Sequence, residues 1–373
     1  MRFFNTAGPV NCNKHYCLSP LSRFDLAEVL SLIRQEKYFV LHAPRQSGKT
    51  SCLFALNDHL DQGGEFHALY INVEPGQTAR DDVKRGIRAV LTQLAYAIEE
   101  KFPGSQVPSQ IYTAIEEKGE DTALTAILTD FCKTLDKPLV LFIDEIDALV
   151  GETLISVLRQ LRAGYTKRPE LFPSTVILCG VRDVRDYRIL SGSEKMIITG
   201  GSAFNVKAKS LRLGNFSEEE TRSLLLEHTK ETGQVFEENA LKSIWSLTKG
   251  QPWLVNALAY ETCFELEEGK ARNNPITDLL VEQAKENLII RRVTHLDQLA
   301  DKLKEERVRR VIEPILTGDI YEGMLRSDDI EYVKDLGLIT QATNGEISIL
   351  NRIYQEIIPR QLSWESQSGM ALR

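Results

Sequence analysis

No apolar run in the 373 residues approaches the roughly 18 that a membrane span needs. The opening segment, MRFFNTAGPVNCNKHYC, holds no apolar stretch of signal-peptide length, so a cytoplasmic setting is expected. No CxxC pair occurs among the six cysteines, which read as free thiols in a reducing compartment. Cys12, His15 and Cys17 lie close together, but a metal centre would need a fourth ligand and a partner cluster, so they read as ordinary arm residues. Positive charge is not in excess: 45 Lys and Arg face 53 Asp and Glu, for a net charge of −8. A chain of that sign offers nucleic acid no general field. Internal repeats and low-complexity segments are also missing. What remains is a chain with 42% hydrophobic and 26% charged residues, long enough for two to three domains with a sizeable core.

The first part alternates apolar runs with helical patterns. KYFVLHA (37–43), FHALYINV (66–73), PLVLFIDEIDAL (138–149) and STVILCG (174–180) read as strands. TSCLFALNDHL (50–60), the stretch 79–102, TALTAILTDFCKTL (122–135) and LISVLRQLRAGY read as helices. Strands that are continuous apolar runs between helices indicate a parallel sheet covered on both faces, an α/β layer structure up to about residue 213. After Gly214 helices dominate. Ser217 and Glu220 form a capping box, Gly250 reads as a helix stop, and Pro252 as the first residue of the next helix. A third unit begins near 291. Its end reads helix, strand LITQA, turn 343–346, strand EISIL, helix; Asn344-Gly345 is a strong hairpin signal. Helix followed by hairpin is winged-helix grammar.

FVLHAPRQSGKTSC (39–52) is a buried strand, a loop and a helix start. A triphosphate carries several negative charges, and backbone N–H groups at a helix start can meet them. Arg45, Gln46, Ser47, Gly48, Lys49 and Thr50 supply such donors, with Ser51 just after. Lys49 adds a point charge for the β- and γ-phosphates, Gly48 lets the backbone come close, and the Thr50 hydroxyl can ligate Mg²⁺. The phosphate-loop pattern asks for glycine where Ala43 stands. The extra methyl lies at the strand end, away from the Lys49–Thr50 side, so its cost should be modest. A second element points the same way. LVLFIDEID delivers Asp144 and Glu145 to the carboxyl end of a strand, where ligands bind in open parallel sheets. Asp144 can hold Mg²⁺ through water, and Glu145 can orient or deprotonate the attacking water. A strand merely running out into solvated acids would leave the phosphate loop 95 residues earlier unexplained.

The loop APRQSGKT and the strand LFIDEID resemble the Walker A and Walker B motifs of the additional-strand P-loop ATPases, in the AAA+ and STAND (signal-transduction ATPase) branches. PLSRFDLAEVLSLI resembles the arm such proteins lay against the base, which gives Arg23 a base-contact role. TKGQPWLVNALAYE resembles the Gly-x-Pro motif of their helical lid, carried by Gly250 and Pro252, which the resemblance places over the adenine. It covers about residues 18 to 362 and implies an arm (1–23), a P-loop ATPase domain (24–213), a helical lid (214–290), a winged-helix domain (291–363) and a tail (364–373). Arg182, just past the strand STVILCG, stands where related ATPases place sensor 1, and could contact the γ-phosphate or act as a finger to a neighbour. The bland alternative is a surface arginine paired with Asp183 or Asp186. Trp253 reads as lid core rather than base-pocket wall.

The expected activity is therefore ATP binding with Mg²⁺ and slow hydrolysis in a nucleotide-controlled switch whose effector is another protein or a second copy. The alternative is a DNA-associated AAA+ ATPase. Across 321–363, Arg326, Lys334, Arg352 and Arg360 face seven acids, and the would-be recognition helix opens on Asp328-Asp329, the wrong sign for phosphates. A nucleotide-binding scaffold without turnover fits less well, because Glu145 is present.

Overall fold

A computed structural model describes residues 1–183, 188–190, 197–199, 205–291, 299, 301–318 and 325–371. They form two compact units: residues 20–43 with 49–213, and residues 1–19 with 44–48 and 214–373.

The sheet unit is an α/β layer structure. In chain order it carries α1 (Leu26–Arg34), β1 (Tyr38–His42), α2 (Lys49–Gly63), β2 (His67–Asn72), α3 (Val83–Lys101), α4 (Val107–Lys118), α5 (Ala123–Cys132), β3 (Leu139–Asp144), α6 (Gly151–Ala163), β4 (Thr175–Gly180), β5 (Arg188–Leu190), β6 (Ile197–Thr199) and β7 (Lys207–Arg212). Five strands pair in the order β2-β3-β4-β1-β7, and every pairing is parallel. β4 lies between the strand that leads into the phosphate-loop sequence and the strand that ends in Asp144. β5 and β6 pair separately as an antiparallel hairpin.

The sheet is buried on both faces, which is why β1, β3 and β4 are nearly continuous apolar runs. Because strand side chains alternate, one set enters a core with α3, α5 and α6, including Leu69, Ile71, Leu141, Ile143 and Leu178. The other set, Ala68, Phe142, Ile177 and Cys179, packs against α1 and α2. Ala43 belongs to this second core and is fully buried, so the methyl that departs from the glycine pattern fills apolar space.

Some boundaries differ from those read in the sequence. The strand expected over 138–149 ends at Asp144, because Glu145 turns left-handed (φ 56°) and 146–148 form a 3-10 turn. α3 starts at Val83 rather than 79, because the Asp82 carboxylate accepts from the Arg85 N–H and caps it. α4 and the strand β7 carry no sequence expectation. Gln160 of α6 is buried, and its Oε1 accepts from the Leu124 N–H at 2.9 Å, capping the start of α5 from a neighbouring helix.

The other unit is mostly helical: α7 (Glu218–Thr232), α8 (Glu238–Thr248), α9 (Pro252–Tyr260), a π-turn over Glu261–Glu265, α10 (Glu267–Lys270), α11 (Asp278–Arg291), α12 (Glu306–Thr317), α13 (Ser327–Asp335), β8 (Ile339–Gln341), β9 (Ile347–Ile349) and α14 (Arg352–Ala371). Ser217 and Glu220 form both bonds of the capping box on α7. β8 and β9 are an antiparallel hairpin whose turn holds Gly345 at φ 88°. One apolar core runs through the unit, from Leu224 and Ile244 to Val333, Ile349 and Ile358.

Residues 1–19 are built into that core. Phe4 and Tyr16 are fully buried, Arg2 pairs with Glu227 and Glu231, and Trp253 Nε1 donates to the Thr6 carbonyl at 2.9 Å. Cys12 and Cys17 are joined by a disulfide, which corrects the expectation of six free thiols; Cys52, Cys132, Cys179 and Cys263 are free and buried. His15, within the loop the disulfide closes, accepts at Nδ1 from the N–H of Asn11, just before that loop, at 3.0 Å.

Gly250 shows why that turn needs glycine. Its φ is +69°, and a Cβ there would stand 2.0 Å from the Phe216 carbonyl oxygen. Phe216 N–H in turn donates to the Gly250 carbonyl at 2.9 Å. Gly250→Ala is therefore expected to cost about 1–2 kcal/mol from the left-handed backbone alone, with the steric clash added. A lowered thermal midpoint checks this; an unchanged midpoint would show that the turn can relax.

Candidate functional site

The phosphate-loop sequence joins β1 to α2. Lys49 is the first residue of α2 and is 6% exposed, and its Nζ donates to the Ala43 carbonyl at 3.0 Å. Gln46 (φ 56°) and Gly48 (φ 90°) both take left-handed backbone. Alternation of right- and left-handed residues turns successive N–H groups toward one side, the geometry of an anion-binding nest. Ser47 is buried and donates its hydroxyl to the Pro44 carbonyl at 2.7 Å, which tightens the loop. Arg45 is exposed, and Ser51 is half-buried on the first turn of α2.

Across the sheet face that α2 covers, Asp144 is fully buried at the end of β3. The Thr50 hydroxyl donates to Asp144 Oδ2 at 2.8 Å. The Tyr70 hydroxyl, from β2, donates to the same oxygen at 2.9 Å, and the Glu145 N–H donates to Oδ1 at 2.9 Å. Burial first, and then the Asp144 carboxylate, push the Tyr70 phenol far above its ordinary value. The same two causes, in the same order, push the Cys179 thiol of β4 well up. Both groups therefore stay protonated, and Asp144 stands among donors.

Glu145 occupies a left-handed backbone position, which costs a non-glycine residue about 1–2 kcal/mol. Strain of this kind persists where surrounding structure imposes it. Asp147, two residues on, accepts from the Val181 N–H at 3.1 Å and so ties the segment after β4 to this turn. Arg182 follows directly and is half-buried. Asp183, one of the partners considered for Arg182, pairs with Lys207 at 2.6 Å, both nearly fully buried. Asp186, the other, lies outside the described residues.

Arg23 ends a 3-10 turn, Pro20–Arg23, that sits beside the first turns of α2: Cys52 Sγ contacts the Pro20 carbonyl at 3.4 Å. Burial lifts the Cys52 thiol to about 11, with the Arg23 charge acting in the opposite direction. Gly250 and Pro252 belong to the helical unit. Pro252 is buried there at the first position of α9, and the Gln251 side chain caps that helix through the Leu254 N–H at 2.6 Å. Trp253 lies in the core of the same unit.

Among the described residues no group of three or more His, Cys, Asp or Glu is placed to hold a metal by itself. The Thr50 hydroxyl and Asp144 carboxylate are hard oxygen donors that suit Mg²⁺, which is usually held by one or two carboxylates together with phosphates and water. The residues present fit that ion. Sequence reading missed Tyr70. Its signal was the polar tip it brings to a β-strand otherwise filling a core.

Residues 33–187 match the AAA domain family. The match covers less than half of the chain and classifies that segment. No curated protein matches the chain. Among solved structures, the chain is similar to a Walker-type ATPase of Pyrococcus abyssi: 15% identity, 95% of this chain and 99% of that one covered, TM-score 0.63. It also matches Cdc6p of Pyrobaculum aerophilum, at 14% identity, 92% and 93% coverage and TM-score 0.48. The RuvB Holliday junction branch migration motor of Thermotoga maritima matches at 16% identity, 90% and 95% coverage and TM-score 0.45. At such identities the first of these shows the fold alone. The chain thus carries an AAA-like domain with the P-loop NTPase α/β fold and a helical C-terminal region. Among the described residues no helix is long and apolar enough to cross a membrane.

His42, at the end of β1, gives a pH signature. Burial lowers it to about 4, against the pull of Asp183 and with the help of Arg212, Lys207 and Lys49. In the unfolded chain it titrates near 6.5. The folded state thus binds fewer protons between those values, so stability is complete above about pH 6.5 and falls as pH drops toward 4. His42→Asn is expected to flatten that part of the thermal-midpoint profile. An unchanged slope would assign the acid sensitivity to other groups.

Proposed function

We propose that this chain binds ATP with Mg²⁺ and hydrolyses it slowly, as a nucleotide-controlled switch of the signal-transduction ATPase kind. The observation that carries the reading is the 2.8 Å hydrogen bond from Thr50 to Asp144, which joins the loop end to the β3 end although they lie far apart in sequence. In this reading the N–H groups of Arg45, Gln46, Ser47, Gly48, Lys49, Thr50 and Ser51 bind phosphate oxygens, and the Lys49 ammonium leaves the Ala43 carbonyl for the β- and γ-phosphates. Thr50 and Asp144 hold Mg²⁺, which when bound neutralises charge on the phosphate oxygens. Glu145 orients a water and accepts its proton as the water oxygen bonds to the γ-phosphorus; ADP leaves with the electrons of the broken P–O bond. Arg182 contacts the γ-phosphate or serves as a finger to a neighbouring copy.

In the same reading Arg23 contacts the base, and Gly250 and Pro252 supply the lid turn for the adenine. A lid that meets nucleotide in one state better than in another is what lets ATP shift an equilibrium. The helix–hairpin–helix over 327–371 is read as a winged helix that docks a protein effector or a second copy. Duplex DNA is disfavoured as its partner: α13 opens on Asp328 and Asp329, and the Arg307 guanidinium beside them is paired with Asp329.

Lys49→Ala is expected to abolish nucleotide binding in calorimetry, and tight ATP binding by that variant would displace the site. Glu145→Gln is expected to bind ATP as the wild type does but to turn over about 10²–10⁴-fold more slowly, the scale of a positioned base. Unchanged turnover in that variant would move the base elsewhere. Binding of duplex DNA is expected to be weak and to fall steeply with salt in an anisotropy titration; tight binding at physiological salt would favour the DNA-associated reading.

A further inference from the structure

Asp144 Oδ2 accepts two hydroxyl protons, and only one of them comes from the phosphate-loop helix. The other comes from Tyr70, two residues before Asn72, which pairs with Asp144 in the β2–β3 register. Tyr70, Phe142 and Asp144 therefore share the sheet face that α2 covers. The Tyr70 ring is held from α2 itself: its centroid lies 4.6 Å from that of Phe54, the two planes at 65°. Phe54 is four residues after Thr50, one turn along the same helix face. It is 39% exposed, an unusual position for a phenylalanine, and it packs on Tyr70. Thr50 and Phe54 thus engage Asp144 and Tyr70 side by side, and the Tyr70–Asp144 bond closes the set.

We infer that Tyr70 is a positioning residue for the Mg²⁺–nucleotide site: its hydroxyl fixes the rotation of the Asp144 carboxylate and so aims the Thr50 hydroxyl at the metal. This rests on the nucleotide reading above. The physical need is clear. The terminal torsion of an aspartate is broad and roughly two-fold, so a carboxylate held at one oxygen by a single donor can swing. Glu145 N–H fixes Oδ1, and Tyr70 gives Oδ2 a second donor beside Thr50, from β2 rather than from the phosphate-loop helix. A hydroxyl that gives its proton to Asp144 turns its lone pairs away from the carboxylate, where a cation can take them. Thr50 can thus ligate Mg²⁺ without breaking the hydrogen bond seen here. Phenylalanine at position 70 would keep the packing on Phe54 and remove only the donor.

The test is calorimetric binding of a non-hydrolysable ATP analogue, with Mg²⁺ and with EDTA, to the wild type and to Tyr70→Phe. The expected result is a factor of roughly ten lost from the Mg²⁺-dependent gain in affinity, the scale of one hydrogen bond to a charged group. Affinity in EDTA should stay within about twofold. Phe54→Leu, which keeps the Tyr70 hydroxyl but loosens its ring, is expected to lose part of the same gain. An unchanged Mg²⁺-dependent gain in Tyr70→Phe would overturn the inference. So would equal losses with and without Mg²⁺, which would mark a packing role. Should Tyr70→Phe fail to fold, a full Mg²⁺-dependent gain in a folded Phe54→Leu would overturn it as well. Wild-type protein that binds no analogue in either condition would instead overturn the nucleotide reading, and this inference with it.

Discussion

A buried carboxylate costs several kcal/mol unless its oxygens are met by donors, and Asp144 is both fully buried and fully met. Thr50, Tyr70 and Glu145 all donate to it, from α2, β2 and the turn after β3. That requirement organises this end of the sheet. It sets where α2 begins relative to β3, it gives the half-buried β2 a polar residue among apolar ones, and it accompanies the left-handed turn at Glu145. A buried carboxylate held by donors beside the Thr50 hydroxyl is also what a bound Mg²⁺ needs. The same arrangement that satisfies the fold is the one from which the chemistry is argued.

Strain and burial are unevenly spread. Of the left-handed non-glycine residues Glu36, Gln46, Arg80, Glu145 and Lys249, Gln46 stands in the loop and Glu145 directly after β3. Such positions persist only where surrounding structure imposes them. Here the surroundings are a sheet buried on both faces, with Phe142, Ile177 and Cys179 on one side and Ile143, Leu178 and Leu141 on the other. A rigid parallel sheet presenting mobile chemistry at its carboxyl ends is the general plan of open α/β folds. In the helical unit the demand is different. Gly250 is required by the Phe216 carbonyl that stands against it, and Pro252 is buried at a helix start. Both residues therefore have reasons inside their own unit, alongside the adenine role proposed for them.

Four sheet strands were legible in the sequence: burial on both faces makes β1, β3 and β4 nearly continuous apolar runs, and the edge strand β2 keeps its apolar residues at Ala68, Leu69 and Ile71. β7 was not: KAKSLR interleaves lysines and arginine on a half-exposed edge, and no apolar run marks it. α4 follows a Pro-Gly break and carries a proline in its own first turn, so periodicity alone did not separate it from loop. The phosphate loop and the acidic strand end were legible because each is a short contiguous motif. The Tyr70–Asp144 bond was not, since it depends on the register between β2 and β3, which no local pattern records. The Cys12–Cys17 disulfide escaped for a related reason: composition argued for free thiols, while the fold of residues 1–19 onto the helical core brings two of them together.

The central claim is that the start of α2 and the end of β3 form one site for a metal and a nucleotide together. Electron paramagnetic resonance of Mn²⁺ in place of Mg²⁺ tests it most directly. The account predicts tight binding of one Mn²⁺ per chain only when a non-hydrolysable ATP analogue is present, with that binding strongly weakened in Asp144→Asn and in Thr50→Val. Mn²⁺ bound equally well without nucleotide, or bound with nucleotide in both variants as in the wild type, would contradict it.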